Sequence, residues 1–175
     1  MGLIEFLVQD FSRFYPVAIL IYSLATSDIY LFAGLLLSEQ FNYILKYMIL
    51  KPAMGDKKYP IIGKGTRPPG AVDCGLYRTN GKKKKCPPTS YGMPSGHSQS
   101  ALLFSTYKIL ELIKNKSANP FFYTTYVLLA GFIPWSRVNA NVHTAQQTII
   151  GGMIGGGLGY LFFALKSNIL KLIFK

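Results

Sequence analysis

Five apolar segments, separated by polar stretches, follow one another along the chain. They cover residues 11–25, 29–50, 98–113, 120–135 and 144–165. Because a helix that crosses the hydrocarbon core of a bilayer needs about 20 mostly apolar residues, the pattern predicts an all-α polytopic membrane helix bundle with about five transmembrane helices. The last ten residues, 166–175, combine apolar and basic side chains and predict an amphipathic end at the membrane interface.

One long polar stretch interrupts this pattern between residues 51 and 92. It contains ten lysines and arginines but only two acidic residues, Asp56 and Asp73, and it is rich in proline and glycine. This composition favours irregular backbone over a second folded unit, and connections of this length are often functional. We therefore predict a single membrane-embedded domain over residues 1–175, with a basic loop at 51–92.

The composition supports a membrane protein and restricts its partners. Half of the 175 residues are apolar, 15% are charged, and the mean hydropathy is +0.25. The net charge of +12 is also compatible with nucleic-acid binding, but the basic residues flank apolar segments and form no basic helix. We therefore predict the bilayer, and no nucleic acid, as a partner, and the sequence leaves the oligomeric state open.

Several polar or small residues lie inside the apolar segments. Glu39, Gln40 and Asn42 lie in the second segment, where polar groups normally face the interior of a bundle. Lys108 and Glu111 are three residues apart and predict an ion pair on one helix face. The glycines between residues 151 and 159 predict close helix packing, because small residues spaced four apart let two backbones approach each other.

Three polar clusters stand where apolar segments begin or end. They are Arg67-Pro68, Pro94-Ser95-Gly96-His97, and Ser136-Arg137 followed six residues later by His143, and the two histidines are the only ones in the chain. If the long loop lies on one side of the membrane, the helix after His97 leaves that side and the next helix returns to it. The topology therefore predicts that all three clusters lie on the same face.

These residue types suit a site that transfers a phosphoryl group. Such a site needs fixed positive donors around the equatorial oxygens and a nucleophile in line with the leaving oxygen. Arginine offers a bidentate, permanently charged fork, and neutral imidazole is nucleophilic near pH 7. A helix that begins at Pro-Ser-Gly adds backbone N–H groups and the positive end of its dipole. The clusters therefore predict a phosphate site with a histidine nucleophile.

The three clusters resemble the three motifs of the type 2 phosphatidic acid phosphatase (PAP2) family, which shares its site with vanadium haloperoxidases. The resemblance covers roughly residues 40–165. Tyr91 to Gln99, YGMPSGHSQ, and His143-Thr144 followed by Gln147 and glycines are similar to the dolichyldiphosphatase branch. The resemblance implies a metal-independent, cofactor-free lipid phosphatase that hydrolyses a polyprenyl (dolichyl-type) diphosphate through a phosphohistidine, with phosphatidic acid or another lipid phosphate as the alternative substrate.

The resemblance also implies a role for each site residue. His143 is expected to attack phosphorus, His97 to protonate the leaving group as general acid, and Gln147 to orient His143. Five further residues are expected to bind the phosphate, namely Lys46, Arg67, Ser95, Gly96 and Arg137. No metal ligand is implied.

The sequence departs from the family's first motif, in which a lysine precedes Arg-Pro by six intervening residues. Pro60 stands at that position, and Lys46 has the expected Leu-Lys context about twenty residues before Arg67. We interpret this spacing as an insertion, which makes Lys46 the phosphate lysine. Lys58 and Lys64 remain alternatives.

A second departure is Gln147, where most members of the family carry aspartate. A glutamine carbonyl can still accept the imidazole N–H, but it stabilises the imidazolium less than a carboxylate does. Together with the displaced lysine, this departure supports a rival hypothesis from another class: a non-catalytic lipid-phosphate binder or scramblase-like membrane protein. Replacing His143 by alanine separates the two hypotheses.

Membrane orientation follows from two arguments that disagree. The basic loop is expected on the cytosolic side by the positive-inside rule, whereas the resemblance implies a catalytic face that looks into the lumen or the extracytoplasmic space. We expect a multi-pass endomembrane protein of the ER type with a lumenal active face, because the basic residues serve an anionic substrate. Cys74 and Cys86 form a disulfide if the loop faces an oxidising lumen, or are free thiols otherwise.

Overall fold

Helices occupy all five apolar segments in the computed structural model, which describes residues 6–72, 86 and 90–173. In chain order they are α1 (Ser12–Ala25), α2 (Ile29–Tyr43), the short α3 (Lys51–Met54), α4 (Gly96–Lys114), α5 (Pro120–Asn139) and α6 (Ala145–Ile173). A π-helical turn, Phe6–Phe11, leads into α1, and a second one, Ile44–Leu50, joins α2 to α3. The described part of the chain is therefore mostly helical, as predicted.

Helix α6 is the element best suited to cross a membrane. Its stretch Ala145–Ile169 has a mean hydropathy of 1.7 and is, among the described residues, the one helix long and apolar enough by length and composition to span a bilayer. The other helices also expose large apolar side chains, for example Ile29 at 70% and Phe121 at 70%. The predicted number of five transmembrane helices stays a prediction.

Local side-chain caps explain where three of the helices begin. The side chains of Asp28, Ser95 and Asn119 accept hydrogen bonds from backbone N–H groups in the first turns of α2, α4 and α5. Such caps satisfy N–H groups that have no partner within the helix. Pro120 then occupies the first position of α5, where its missing N–H has no cost.

The core of the bundle is built around α4, which contacts α1, α2, α5 and α6. Its Ala101, Leu103 and Tyr107 side chains are fully buried, and Phe104 is nearly so. Leu31 of α2 and other aromatic and aliphatic side chains from the surrounding helices complete this cluster. The central position of α4 fixes its N-terminus, which carries His97, within the bundle.

A seam of glycines brings α6 against α4. A Cβ added at Gly151 would lie 2.3 Å from the carbonyl oxygen of Ser95, and one at Gly155 would lie 2.0 Å from that of Gln99. Both distances are far below van der Waals contact, so only glycine permits this approach. The predicted close packing is confirmed, and it sets the start of α6 beside the start of α4.

The long loop is less irregular than predicted. Besides α3 it contains an antiparallel hairpin in which β1 (Lys58–Tyr59) pairs with β2 (Gly63–Lys64). Gly63, the first residue of β2 after the turn, has φ +75°, a conformation that glycine adopts without strain. The expectation of irregular backbone in this loop is corrected to this extent. Residues 73–85 and 87–89, with Asp73 and Cys74, lie outside the described residues, and Cys86 is disulfide-bonded.

An ion-pair network ties the helices together at the end of the bundle remote from the polar clusters. Lys166 Nζ lies 3.0 Å from Asp28 Oδ2 and also pairs with Glu111, which in turn pairs with Lys108 as predicted. Tyr107 donates its hydroxyl to Asp28 Oδ1 at 2.8 Å. The amphipathic end predicted for residues 166–175 therefore begins as part of α6, which continues through Lys166, and two carboxylates hold the ammonium group of this lysine. Its place at the membrane interface stays a prediction.

Candidate active site

A cavity of about 270 Å³ collects residues from all three polar clusters. Its polar wall is formed by Glu39, Asn42, Lys46, Arg67, Gly96, His97 and His143. Its apolar wall is formed by Pro16, Val17 and Leu20 of α1. The prediction that Arg67, His97 and His143 lie on one face is confirmed, because these residues line the same space.

The loop between α5 and α6 positions His143. The backbone N–H groups of Val142 and His143 both donate to the carbonyl of Arg137, at 3.1 and 3.2 Å. These bonds close a tight turn directly after the end of α5. The six-residue step from Arg137 to His143 in the sequence is therefore the length that this turn requires.

The hydrogen bonds of the His143 ring define its tautomer. Arg67 Nη1 lies 3.1 Å from His143 Nε2, and Gln147 Oε1 lies 3.1 Å from His143 Nδ1. A guanidinium can only donate, so Nε2 accepts and the proton of the neutral ring is on Nδ1. The lone pair of Nε2 thus faces Arg67 and the cavity.

The orientation of the Gln147 amide is fixed by its other partners. Its Nε2 donates to the carbonyls of Lys64 and Thr66, at 2.9 and 2.7 Å, and its Oε1 also accepts from the backbone N–H of Thr144 at 3.2 Å. Carbonyl oxygens only accept, so the amide cannot be flipped without losing these bonds. Gly92 gives the side chain room, since a Cβ there would lie 2.4 Å from Oε1.

Arg67 is held by the chain on both sides of the site. Its Nε donates to Ser90 Oγ at 2.8 Å, and its Nη1 donates to the carbonyl of Val142 at 3.0 Å as well as to His143. Burial lowers the pKa of Arg67 to about 10, so the guanidinium stays charged at neutral pH.

The surroundings keep His143 neutral. Burial lowers its pKa well below the ordinary histidine value, and the positive charges of Arg67, Lys46 and Arg137 lower it further. His143 is only 3% exposed. A neutral imidazole is the form that attacks phosphorus, and here its lone pair is held by Arg67.

A backbone carbonyl orients His97, the second residue of α4. His97 Nε2 lies 3.1 Å from the carbonyl oxygen of Arg13 in α1. Because that oxygen only accepts, Nε2 carries a hydrogen, and Nδ1 is the nitrogen left to exchange a proton with a ligand. Sequence reasoning missed this contribution of Arg13, since a backbone acceptor leaves no signal in residue identity.

Lys46 is the lysine that the structure places in the cavity. Its side chain is buried, with 8% of the residue exposed, and lies in the π-helical turn that follows α2. Lys58 and Lys64 are exposed on the hairpin, and neither is among the residues that line this cavity. This arrangement agrees with an insertion between Lys46 and Arg67.

Polar residues of α2 and α4 form a network beneath the cavity. Asn42 Nδ2 donates to Gln99 Oε1 at 2.8 Å, and Gln99 Nε2 donates to Ser38 Oγ at 2.8 Å. Glu39 accepts from Ser100 Oγ at 2.6 Å. Asn42 is buried as predicted, whereas Gln40 and Glu39 are exposed, and Glu39 adds a negative charge to the cavity wall.

The remaining predicted phosphate ligands occupy different positions. Gly96 lines the cavity at the start of α4, where backbone N–H groups and the helix dipole favour an anion. Ser95 is fully buried: its hydroxyl accepts from Ser98 N, and its own N–H donates to the carbonyl of Gln147 at 3.0 Å. Arg137 is 2% exposed, and neither it nor Ser95 is among the residues that line the cavity, so contacts of Ser95 and Arg137 with phosphate stay predictions.

Comparison with known proteins places this geometry in a family context. The sequence model of a protein family, described as the PAP2 superfamily, matches residues 17–171 of this chain. Dolichyldiphosphatase 1 of Rhinolophus ferrumequinum is 27% identical over 169 residues, which are 90% of this chain and 60% of that protein. Dolichyldiphosphatase 1 of Dictyostelium discoideum is 29% identical over 147 residues, which are 81% of this chain and 53% of that protein.

A relative with a different name matches a shorter part of the chain. Lipid phosphate phosphatase epsilon 2, chloroplastic, of Arabidopsis thaliana is 26% identical over 81 residues, which are 45% of this chain and 28% of that protein. The chain thus spans 60% or less of the length of these curated relatives. No solved structure matches it significantly.

Proposed function

The chain belongs to the PAP2 superfamily, and from this premise we propose that it is an integral-membrane phosphatase that hydrolyses a polyprenyl (dolichyl-type) diphosphate. The observation that carries the proposal is the state of His143. Gln147 holds its Nδ1–H, while its Nε2 lone pair points to Arg67 in a cavity lined by a second histidine. This is the arrangement that a histidine nucleophile requires.

In the first step, His143 Nε2 attacks the terminal phosphorus of the diphosphate. A bond from Nε2 to phosphorus forms while the bond from phosphorus to the bridging oxygen breaks. His97 in its protonated form gives the proton on Nδ1 to that oxygen, and the lipid monophosphate leaves. His143 keeps the hydrogen on Nδ1 and donates it to Gln147 Oε1, which thus accepts a hydrogen bond from the cationic phosphohistidine.

In the second step, water attacks the phosphorus of the phosphohistidine. His97 Nδ1 takes a proton from the water, the bond from phosphorus to Nε2 breaks, and inorganic phosphate is released. His143 and His97 are thereby restored, and one water has been consumed. A general acid and base of this kind contributes about 10²–10⁴ in rate.

Three positive elements in the cavity hold the phosphate in this proposal. Arg67 exchanges its bond with His143 for a phosphate oxygen, Lys46 adds a second charge from the π-helical turn after α2, and the start of α4 at Gly96 supplies backbone N–H groups. Fixed donors in a site shielded from water stabilise the charge that develops in the transition state.

The walls of the cavity support a lipid as the rest of the substrate. Pro16, Val17 and Leu20 form an apolar side directly beside the polar group, so the cavity fits a molecule that joins a phosphate to a hydrocarbon chain. The names of the two dolichyldiphosphatase relatives favour a polyprenyl diphosphate. Phosphatidic acid or a related lipid phosphate is the alternative, in line with the lipid phosphate phosphatase among the relatives.

We further propose that the helices α1, α2, α4, α5 and α6 all cross the membrane. The exposed apolar side chains on these helices and the apolar stretch in α6 support this topology. We also propose an endomembrane location of the ER type with the cavity open to the lumen, where the basic residues serve an anionic substrate.

Phosphate release from purified protein in detergent tests the proposal. A polyprenyl diphosphate and phosphatidic acid are offered in parallel, with EDTA present and with His143→Ala as the control. We expect release that is lost in the variant, and faster release from the diphosphate. Faster release from phosphatidic acid assigns the alternative substrate, whereas folded wild-type protein that releases no phosphate from either lipid points to a non-catalytic binder.

A further inference from the structure

The hairpin formed by β1 and β2 carries an exposed apolar tip between lysines. Ile61 is 88% exposed, the highest value among the large apolar side chains of the described residues. Lys57, Lys58 and Lys64 are exposed around it. An apolar side chain next to basic ones is the composition of segments that lie in the interface between water and a bilayer.

Contacts of the hairpin place it beside the first turns of α6. A Cβ on Gly63 would lie 3.3 Å from the side chain of Gln146, the second residue of α6. Ile62 and Ile150 belong to one apolar cluster. Since a helix rises 1.5 Å per residue, Ile150 lies roughly 8 Å along α6 from its start, and the hairpin therefore reaches the depth of the first turns of this apolar helix.

We propose that the hairpin 58–64 is an interfacial anchor that inserts Ile61 among the lipids and binds anionic phospholipid headgroups through its lysines. The proposal rests on the proposed function only in that α6 crosses a bilayer. Charge complementarity favours anionic lipids, because each lysine near an anionic surface increases partitioning roughly fivefold. Insertion moves the exposed Ile61 side chain from water into an apolar environment, and this transfer is favourable.

The anchor has a direct mechanical link to the catalytic cavity. Only Gly65 and Thr66 separate Lys64 from Arg67, and Gln147 Nε2 binds the carbonyls of Lys64 and Thr66. A hairpin held by the bilayer surface therefore fixes the segment after β2 that presents Arg67. The phosphate site and the headgroup layer, where the phosphate of a lipid substrate lies, are brought into register by the same segment.

Tryptophan fluorescence in lipid discs tests this proposal without any need for turnover. Trp135 is the single tryptophan of the chain, so Trp135→Phe gives a background in which Ile61→Trp supplies the only indole. Asp56→Trp in the same background is the matched control in the exposed turn before β1. Discs contain either ordinary lipids or lipids brominated in the upper part of the acyl chain.

We expect the indole at position 61 to lose emission in brominated discs and to be protected from aqueous acrylamide, and the indole at position 56 to behave in the opposite way. Adding Lys57→Gln, Lys58→Gln and Lys64→Gln is expected to reduce the loss of emission in anionic discs but not in zwitterionic ones. An indole at position 61 that acrylamide quenches freely and bromine leaves unchanged overturns the anchor.

The protein without substitutions separates this result from a failure of the proposed function. Trp135 is 52% exposed on α5 and reports whether the bundle itself lies in the bilayer. Quenching of Trp135 by brominated lipid without quenching at position 61 leaves the embedded bundle in place and overturns the anchor alone. Absence of quenching at both positions overturns the bilayer placement and the anchor together.

Discussion

The side-chain amide of Gln147 connects the nucleophile to the segment that follows β2 and carries Arg67. Its Oε1 lies 3.1 Å from His143 Nδ1, and its Nε2 donates to the carbonyls of Lys64 and Thr66. A carboxylate at this position would face those carbonyls with a like partial charge and could not donate to them. Glutamine is thus matched to the local backbone, and its neutrality is part of the arrangement.

Gln147→Ala is expected to reduce kcat by roughly 5- to 150-fold. The change leaves the buried Nδ1–H of His143 without its acceptor, and an unsatisfied buried group costs about 1–3 kcal/mol. Gln147→Glu is expected to raise KM as well, because repulsion from the carbonyls of Lys64 and Thr66 displaces the segment that carries Arg67. Steady-state kinetics measure both effects, with Gln146→Ala at the exposed neighbouring position as the control, and an unchanged kcat in Gln147→Ala would contradict the role.

Lys46→Met is expected to lower kcat/KM by roughly 10- to 150-fold, because a hydrogen bond to a charged group contributes about 1.5–3 kcal/mol. Lys58→Met and Lys64→Met serve as controls for the loss of a lysine charge on the same face of the protein. Both lie outside the cavity wall and are expected to retain most of their activity. A larger loss in Lys64→Met than in Lys46→Met would reassign the phosphate lysine.

The pH profile of kcat/KM reports the state of His143. Its pKa is lowered by burial and by the charges of Arg67, Lys46 and Arg137. Since the neutral ring attacks, the acid limb of the profile is expected well below the ordinary histidine range, whereas the alkaline limb reports the loss of the proton that His97 gives to the leaving oxygen. Arg137→Met removes one positive neighbour and is expected to shift the acid limb to higher pH, and an unshifted limb would show that Arg137 does not act on His143.

The carboxyl group of Asp28 is expected to make the free energy of unfolding depend on pH in the acid range. Burial raises its pKa, but hydrogen bonds from Lys166, Tyr107 and the Leu31 backbone together bring it below the ordinary value. A lowered carboxyl pKa gives stability that is present above the unfolded-state pKa and is lost as the pH falls through the folded-state pKa.

Asp28→Asn is therefore expected to lower the free energy of unfolding by about 1–3 kcal/mol at pH 7 and by much less near pH 3. Thermal unfolding in detergent at both pH values measures the difference. Asp56→Asn, in an exposed turn, is the control, and an equal destabilisation by Asp28→Asn at both pH values would refute the linkage.

Gly155→Ala is expected to destabilise the fold by about 1–3 kcal/mol, the usual cost of overpacking, and to lower activity. Its new Cβ would meet the Gln99 carbonyl at 2.0 Å and would separate α6 from α4. Gly157→Ala, on the same helix, has nothing within 4 Å of its Cβ and is expected to be neutral. Thermal unfolding and phosphate release distinguish the two, and equal Tm values would argue against the seam.

Much of this architecture can be predicted from the sequence because it depends on interactions between residues that are close along the chain. Apolar segments of sufficient length fold as helices, and caps such as Asp28, Ser95 and Asn119 mark where three of them begin. The alternation of chain direction from one helix to the next returns Arg67, His97 and His143 to one side. Glycines spaced four residues apart likewise predict the close packing of α6 against α4.

Other features depend on distances between residues far apart in the chain. Lys46 rather than Lys58 or Lys64 lines the cavity because a helix end and a hairpin fold back past each other, which no spacing rule describes. The Arg13 carbonyl orients His97 across 84 residues, and the same acceptor would be present whatever the side chain. Lys166, which the sequence assigns to a tail, joins Asp28 and Glu111 for the same kind of reason.

The sequence by itself determined which groups are available: two histidines, the helices beside which they lie, and the face on which they meet. Only the tertiary structure decided the protonation geometry of the site. A hydrogen bond acts over about 3 Å and depends on direction. The packed backbone, and not the order of residues, therefore sets the tautomers of His143 and His97. It also sets the match of Gln147 to the segment 64–66.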